Sequence, residues 1–193
     1  MAAAPARVAA TRALAHDWHR AIFAGVGSVP SGNYLGHARG SADRDFADYE
    51  VELVDALSDQ VLAKGVPAPH VAAELESFEG ALTSAIKTLD PVMPVGRPPA
   101  SANELLAVVQ LAAVVHGEWI RIHPYAAGNG RIARTWANWV AMRYGLPPFV
   151  RIKPRPDGLL YAQAAQRSMG PPDFRGDHNL TVSLFLDLLR QQP

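Results

Sequence analysis

Between His123 and Arg134 the chain reads HPYAAGNGRIAR, a turn that passes directly into the start of a helix. At a helix start the first amides have no partner inside the helix and the aligned peptide dipoles leave partial positive charge, so an anion is favoured there. Gly128 and Gly130 have no Cβ, so the backbone can turn its amides inward and a phosphate can come close. Arg131 and Arg134 are three apart, on one side of the first turn, where planar guanidinium forks can grip phosphate oxygens. Asn129 adds a neutral amide donor between the two glycines. His123 stands just before the turn, and an imidazole with an ordinary pKa near 6.5 can accept a proton at neutral pH. A base beside donors and cations aimed at phosphate suits phosphoryl or nucleotidyl transfer. Each part alone has a bland reading: a structural histidine, a simple turn, a solvated basic face. It is their conjunction in one short stretch that points to a phosphate or nucleotide site.

Helices must position that stretch. Ser101 and Glu104 stand at capping-box spacing before a nearly all-apolar run to Ile122, which predicts a central helix around which the others pack. A second helix is expected from about Arg131 to Tyr144, stopped by Gly145 and the pair Pro147 and Pro148. Upstream, Leu14, Trp18 and Ile22 recur every four residues, predicting an amphipathic helix near 8–24. Val51, Val54, Leu57 and Val61 follow helical spacing over 46–63, and 71–89 repeats the pattern. Four prolines between Pro91 and Pro99 make a rigid connector. Asp157 is placed to cap a helix through Met169, and Val182, Phe185 and Leu189 share a face of a last one over about 181–189. The stretch 26–45, broken by Gly, Ser and Pro, reads as a loop or small hairpin. The expected fold is mainly α, about seven helices with little strand, in one domain over 1–193 whose core motif region is 101–149.

Composition narrows the partners. Lys plus Arg (18) equals Asp plus Glu (18), so no overall positive field gathers nucleic acid or an anionic membrane, and phosphate handling must be local. No apolar run reads as a membrane span. Cysteine is absent, which removes disulfides, thiolate metal sites and a Cys nucleophile. A cytoplasmic location is expected. His16 and His19, without acids or a third histidine at ligand spacing, do not make a metal site. Trp119, Trp136 and Trp139 read as core or groove lining, and Glu118 as a residue that orients a side chain or meets water.

The stretch from His123 resembles the signature of the Fic family, His-x-Phe-x-(Asp/Glu)-Gly-Asn-Gly-Arg-x-x-Arg. The resemblance extends to the lead-in AAVVHGEWIRIHPY, in which His116 precedes the motif by seven residues, to GLPPF, and to Tyr161 in LLYAQAAQ. More loosely it covers Leu14 to Phe23 and GNYLGHARG. It implies a helical bundle with a short β-hairpin flap beside the site, either near 26–45 or in the connector 90–100. It also implies an enzyme that moves the AMP part of ATP onto a Ser, Thr or Tyr hydroxyl of a target protein. In that scheme His123 deprotonates the hydroxyl. Gly128, Asn129 and Gly130 form the anion hole, while Arg131 and Arg134 hold the distal phosphates.

Two positions depart from the signature. Tyr125 replaces Phe and brings a hydroxyl that needs a partner. Ala127 stands where the family has Asp or Glu, and a methyl group cannot ligate the magnesium ion that bridges the nucleotide phosphates. Either another carboxylate serves, the arginines carry the charge alone, or transfer is lost or redirected; no metal-binding residue is assigned. The partners implied are a nucleotide, ATP above all, and a hydroxyl-bearing target protein. GNGR with two arginines favours nucleotidyl over phosphoryl transfer, and the alternative is a Fic-fold protein that binds a phosphate ligand without magnesium-dependent transfer. Glu79 followed by Gly80 is the nearest match to the family's inhibitory motif, but Leu75 stands where that motif has Ser or Thr. Any inhibition is therefore expected from a separate partner or another segment.

Overall fold

The computed structural model describes residues 9–24, 34–41, 46–54, 58–156, 158–170 and 176–192. Among these are six α-helices: α1 Arg12–Phe23, α2 Val71–Leu89, α3 Ala102–Ile122, α4 Asn129–Arg143, α5 Leu159–Met169 and α6 Asn179–Arg190. A short antiparallel pair, β1 Glu52–Val54 and β2 Val61–Lys64, precedes a 3-10 turn at Ala68–His70 that leads into α2.

α3 is the axis of the bundle. Ser101 Oγ accepts the Glu104 amide at 3.2 Å, and the Glu104 carboxylate accepts the amide of Ala100, one residue upstream of the cap, at 2.7 Å. This closes the helix start. Val108, Val109, Ala112, Ala113, Trp119, Ile120 and Ile122 are all buried. That pattern spreads over several faces because α2, α4, α5 and α6 all pack against α3. By length and composition this 21-residue helix could cross a membrane, which corrects the reading that no run is long enough. Here, however, 61% of its apolar window is buried inside the protein, as a central helix requires.

A rigid aromatic layer ties α1, α2 and α4 to α3: Trp18 meets Trp136 at 4.8 Å, and Phe78 meets Trp119 and Trp136 at 5.4 and 5.6 Å. These edge-on contacts place Trp119 and Trp136 in the core, as their sequence positions suggest. Glu118 does orient side chains: it takes hydrogen bonds from Arg121 and lies 2.7 Å from His178 Nε2, linking α3 to the start of α6. Burial pushes its carboxyl pKa up, but the bonds from His178 and Arg121 outweigh this and hold it at about 2.

The helix expected over 46–63 is a hairpin instead. Its residues pair Glu52 with Lys64, Leu53 with Ala63 and Val54 with Val61, with a bulge between Leu53 and Val54. Val54, Val61 and Leu62 are exposed, so their spacing does not mark a buried helical face. β-branched side chains fit a pleated ladder, and Asp59, with φ of 54°, adopts a left-handed backbone that breaks a helix. Leu57 lies outside the described residues. This hairpin, not the connector, is the flap that the resemblance implies. The connector is instead held down: Arg143 Nη2 and Tyr144 Oη donate to the Asp90 carboxylate at 2.6 and 3.1 Å. Of 26–45, residues 34–41 are described and contain no strand. α4 begins two residues earlier than expected, and α5 begins after Gly158, while Asp157 lies outside the described residues.

Candidate functional site

The turn from His123 to Gly128 joins α3 to α4, and three elements distant in sequence fix it. His123 ends α3 in the left-handed region, φ 50° and ψ 57°, where a residue with a bulky side chain is strained by about 1–3 kcal/mol. Arg39 holds it there. Its guanidinium is buried and donates from Nε to the His123 carbonyl at 2.8 Å, from Nη1 to Tyr49 O at 2.6 Å, and from Nη2 to Val66 O at 2.8 Å and Ile122 O at 3.2 Å. The Arg39 amide also donates to Pro124 O at 2.7 Å. The chain leaving the flap passes against the same point, since a Cβ on Gly65 would lie 3.1 Å from the His123 Cβ.

The His123 ring is half-buried, and its Nδ1 lies 3.2 Å from Ile120 O. A carbonyl only accepts, so Nδ1 carries the proton and the Nε2 lone pair is left for a substrate proton. Burial lowers the pKa to about 4, with Arg39 adding to the effect and the Ile120 hydrogen bond opposing it. The ring is therefore neutral, as a base must be before it acts. His16 is likewise lowered to about 4, chiefly by burial and then by Arg20. Both folded-state values lie below the ordinary 6.5, so the unfolded chain takes up these protons first. Stability contributed by the two neutral rings is therefore complete above about pH 6.5 and is lost as pH falls from there towards 4. Urea midpoints measured from pH 7 down to pH 5 should fall, and a flat profile would show that the rings are not buried neutral.

Beyond Pro124 the turn is internally closed. Asn129 Oδ1 accepts the Tyr125 amide at 3.0 Å, and Nδ2 donates to the Tyr125 carbonyl at 2.7 Å. The Asn129 side chain is thus the latch of the turn, and one Nδ2 proton and the backbone amide are not taken up by the latch. Gly128 has φ of 85°, and a Cβ there would stand 2.9 Å from the Phe23 ring, so both conformation and space require glycine. Among the described residues no acceptor takes the amides of Asn129 and Gly130, the first two of α4.

The two arginines brace against different partners. The Arg131 guanidinium carbon stands 4.6 Å from the centre of the Phe23 ring on α1. Arg134 is buried. Nε and Nη2 donate to Ile152 O at 3.2 and 2.9 Å, and Nη1 donates to Tyr161 Oη at 2.8 Å. Nη1 would lie 3.2 Å from a Cβ on Gly130, so the fixed guanidinium sits directly at the cradle. Tyr161 Oη in turn lies 3.1 Å from His116 Nε2, which makes His116 a structural residue behind Arg134.

The added hydroxyl of Tyr125 does find a partner. Its Oη lies 2.8 Å from His16 Nδ1, and the ring is fully buried 4.0 Å from the centre of His19. Tyr125→Phe should keep the ring packing and lose about 0.5–1.5 kcal/mol of stability by leaving His16 unpaired. Chemical denaturation checks this, and a gain in stability would mean that the hydroxyl is an uncompensated burden.

Magnesium, implied by the resemblance, finds no ligand in this turn. Ala127 offers only its carbonyl, which accepts from His19 Nε2 at 3.1 Å, and no cluster of three or more His, Asp or Glu that could hold a metal occurs among the described residues. The turn therefore does not fit the metal. The sequence missed Arg39, His16, His19 and Phe23 as parts of the site. The helical register of the last three was visible, since 16, 19 and 23 share one face of α1, but nothing local revealed what that face meets.

A family model described as the Fic/DOC family matches residues 10–141, more than half of the chain. Residues of the chain are 40% identical over 63 positions to a protein adenylyltransferase Fic of Nematostella vectensis, covering 32% of this chain and 15% of that protein. They are 39% identical over 49 positions to a uridine 5'-monophosphate transferase of Xanthomonas campestris, covering 25% and 9%. These matches thus span a small part of the relatives' length. In fold, the chain is similar to a Fic-domain-containing signaling protein of Bacteroides thetaiotaomicron, with TM-score 0.64 and 20% identity over 96% of this chain and 61% of that one. It is also similar to the BepC effector of Bartonella tribocorum, solved with bound AMPPNP, with TM-score 0.60 and 18% identity over 92% and 73%.

Proposed function

Because this chain belongs to the Fic/DOC family, we propose that it is a nucleotidyl transferase that moves AMP from ATP to a Ser, Thr or Tyr hydroxyl of a target protein. One observation carries this reading: a neutral His123, whose Nε2 has no partner among the described residues, stands at one end of a turn whose other end presents the amides of Asn129 and Gly130, without acceptors among the described residues, at the start of the helix that carries two braced arginines. The target hydroxyl oxygen attacks the α-phosphorus, and its proton passes to His123 Nε2. The bond from the α-phosphorus to the bridging oxygen breaks, and pyrophosphate leaves with the electron pair. Charge that builds on the leaving phosphates is met by the amides of α4 and by Arg131 and Arg134. The flap at 52–64 adjoins His123 through Gly65, a place from which it can present a target segment to the base. The cytoplasmic setting and the absence of nucleic-acid and membrane partners belong to the same proposal, as does a separate inhibitory partner.

Incubation with α-labelled ATP, GTP and UTP beside lysate proteins tests the reading. Label on protein with wild type supports transfer and identifies the nucleotide. Nucleotide binding with no label on any protein favours the second reading, a cradle that binds without transferring, which the absence of an acid at position 127 motivates. A further variant separates metal from fold. Ala127→Asp should make transfer strongly dependent on magnesium, by about tenfold or more, because a carboxylate then reaches the phosphates' counterion. Titration of transfer with EDTA checks it, and equal sensitivity of wild type and variant would show that another group already binds the metal.

A further inference from the structure

We infer that His19 is a positioning residue for the anion cradle: its Nε2–H holds the Ala127 carbonyl while its Nδ1 takes the Gly36 amide, so that α1 and the segment before the flap together set the turn that opens α4. This rests on the nucleotide-binding reading of the turn but names a residue outside its motif.

The two contacts define the ring's state. The Ala127 carbonyl, 3.1 Å away, can only accept, and the Gly36 amide, 2.9 Å away, can only donate. A single tautomer meets both: proton on Nε2, lone pair on Nδ1. The side chain is fully buried and packed on Tyr125 at 4.0 Å and Phe23 at 4.9 Å, so it has no room to swing away. Burial, with Arg131 and Arg20, keeps the ring neutral against the opposing pull of the Ala127 hydrogen bond.

What this does for the cradle follows from position. Ala127 immediately precedes Gly128, whose left-handed backbone aims the first amides of α4. Asn129 latches the turn at Tyr125, and Arg39 fixes it at His123 and Pro124. Ala127 is the peptide next to Gly128, and His19 is its hydrogen-bond donor among the described residues. With that bond made, the amides of Asn129 and Gly130 are fixed before an anion arrives, so binding costs less reorganisation.

Two near-isosteric replacements separate the two bonds. The amide nitrogen of Gln reaches the place of Nε2, and the carbonyl oxygen of Asn reaches the place of Nδ1. His19→Gln therefore keeps the Ala127 contact and gives up Gly36, whereas His19→Asn does the reverse. Each loses one buried hydrogen bond, so the two variants should melt at similar temperatures. The cradle should respond to only one of them. In His19→Asn, hydrogen exchange at the amides of Arg131 and Ile132, both bonded to Gly128 O, should rise about tenfold and affinity for AMPPNP should fall about tenfold, while His19→Gln stays near wild type. Equal exchange at these amides in the two variants would overturn the inference. If wild type binds no AMPPNP, the nucleotide reading fails, and the exchange comparison still decides the role of His19.

Discussion

Replacing His123 with alanine is expected to lower nucleotidyl transfer by about 10²–10⁴-fold, the range that a positioned general base supplies, while nucleotide affinity stays unchanged. The separation follows from geometry. The anion cradle is built from the amides of Asn129 and Gly130 and from Arg131 and Arg134, and none of these uses the His123 ring as a partner. The ring's bond is to Ile120 O near the end of α3, a carbonyl to which Pro124 four residues on has no amide to give, so truncation takes a donor from the helix end and none from the cradle. The loss should therefore fall on kcat and not on binding. Single-turnover transfer and calorimetric titration of AMPPNP, carried out on the same preparation, provide the check. A parallel loss of affinity would show that the ring supports the cradle and does not act as the base. Because His123 is lowered to about 4, wild-type transfer should keep its full base form down to mildly acid pH.

The second large effect is on stability. Arg39→Met keeps the stem and removes the guanidinium, leaving the carbonyls of Tyr49, Val66, Ile122 and His123 without the donor that reaches all four. Burial opposes the charge on Arg39, and Glu50, 3.7 Å away and half exposed, is its ion-pair partner. The guanidinium is therefore held mainly by carbonyl dipoles. Removing a buried, hydrogen-bonded charge of this kind costs about 3–5 kcal/mol. Urea denaturation should show a loss of that order. Arg39→Lys should recover only part, because one ammonium cannot span four carbonyls set around a planar fork. Full recovery by Lys would mean that charge and not geometry is what the turn needs. Transfer should fall beyond the loss of folded protein, since His123 would leave its strained left-handed backbone.

How much of this the sequence disclosed differs between elements for physical reasons. α2, α3 and α4 are legible because each couples a long apolar periodicity to a clear stop, Ser101 with Glu104 marks the start of α3, and α6 shows through the shared face of Val182, Phe185 and Leu189. The hairpin is not. Val51, Val54 and Val61 satisfy a helical spacing by coincidence, and pairing across a turn is non-local information that spacing cannot carry. In the site, the cradle glycines and His123 were readable because their requirements are local. The latching role of Asn129 is not legible for the opposite reason: an amide between two glycines looks free until the turn closes and brings Tyr125 within reach. Arg39 sits in a Gly- and Ser-bearing segment where an arginine would ordinarily be solvated. Its burial exists only once the end of α3, the chain after β2 and the residue Tyr49 converge on it.

The most direct measurement compares α-labelled with γ-labelled ATP, followed by mass analysis of any modified protein. Wild type should place the α-label, with the nucleoside attached, on a Ser, Thr or Tyr hydroxyl, and His123→Ala should not. Label carried only from the γ-position, or bound nucleotide with no adduct on any protein, would contradict nucleotidyl transfer by this site.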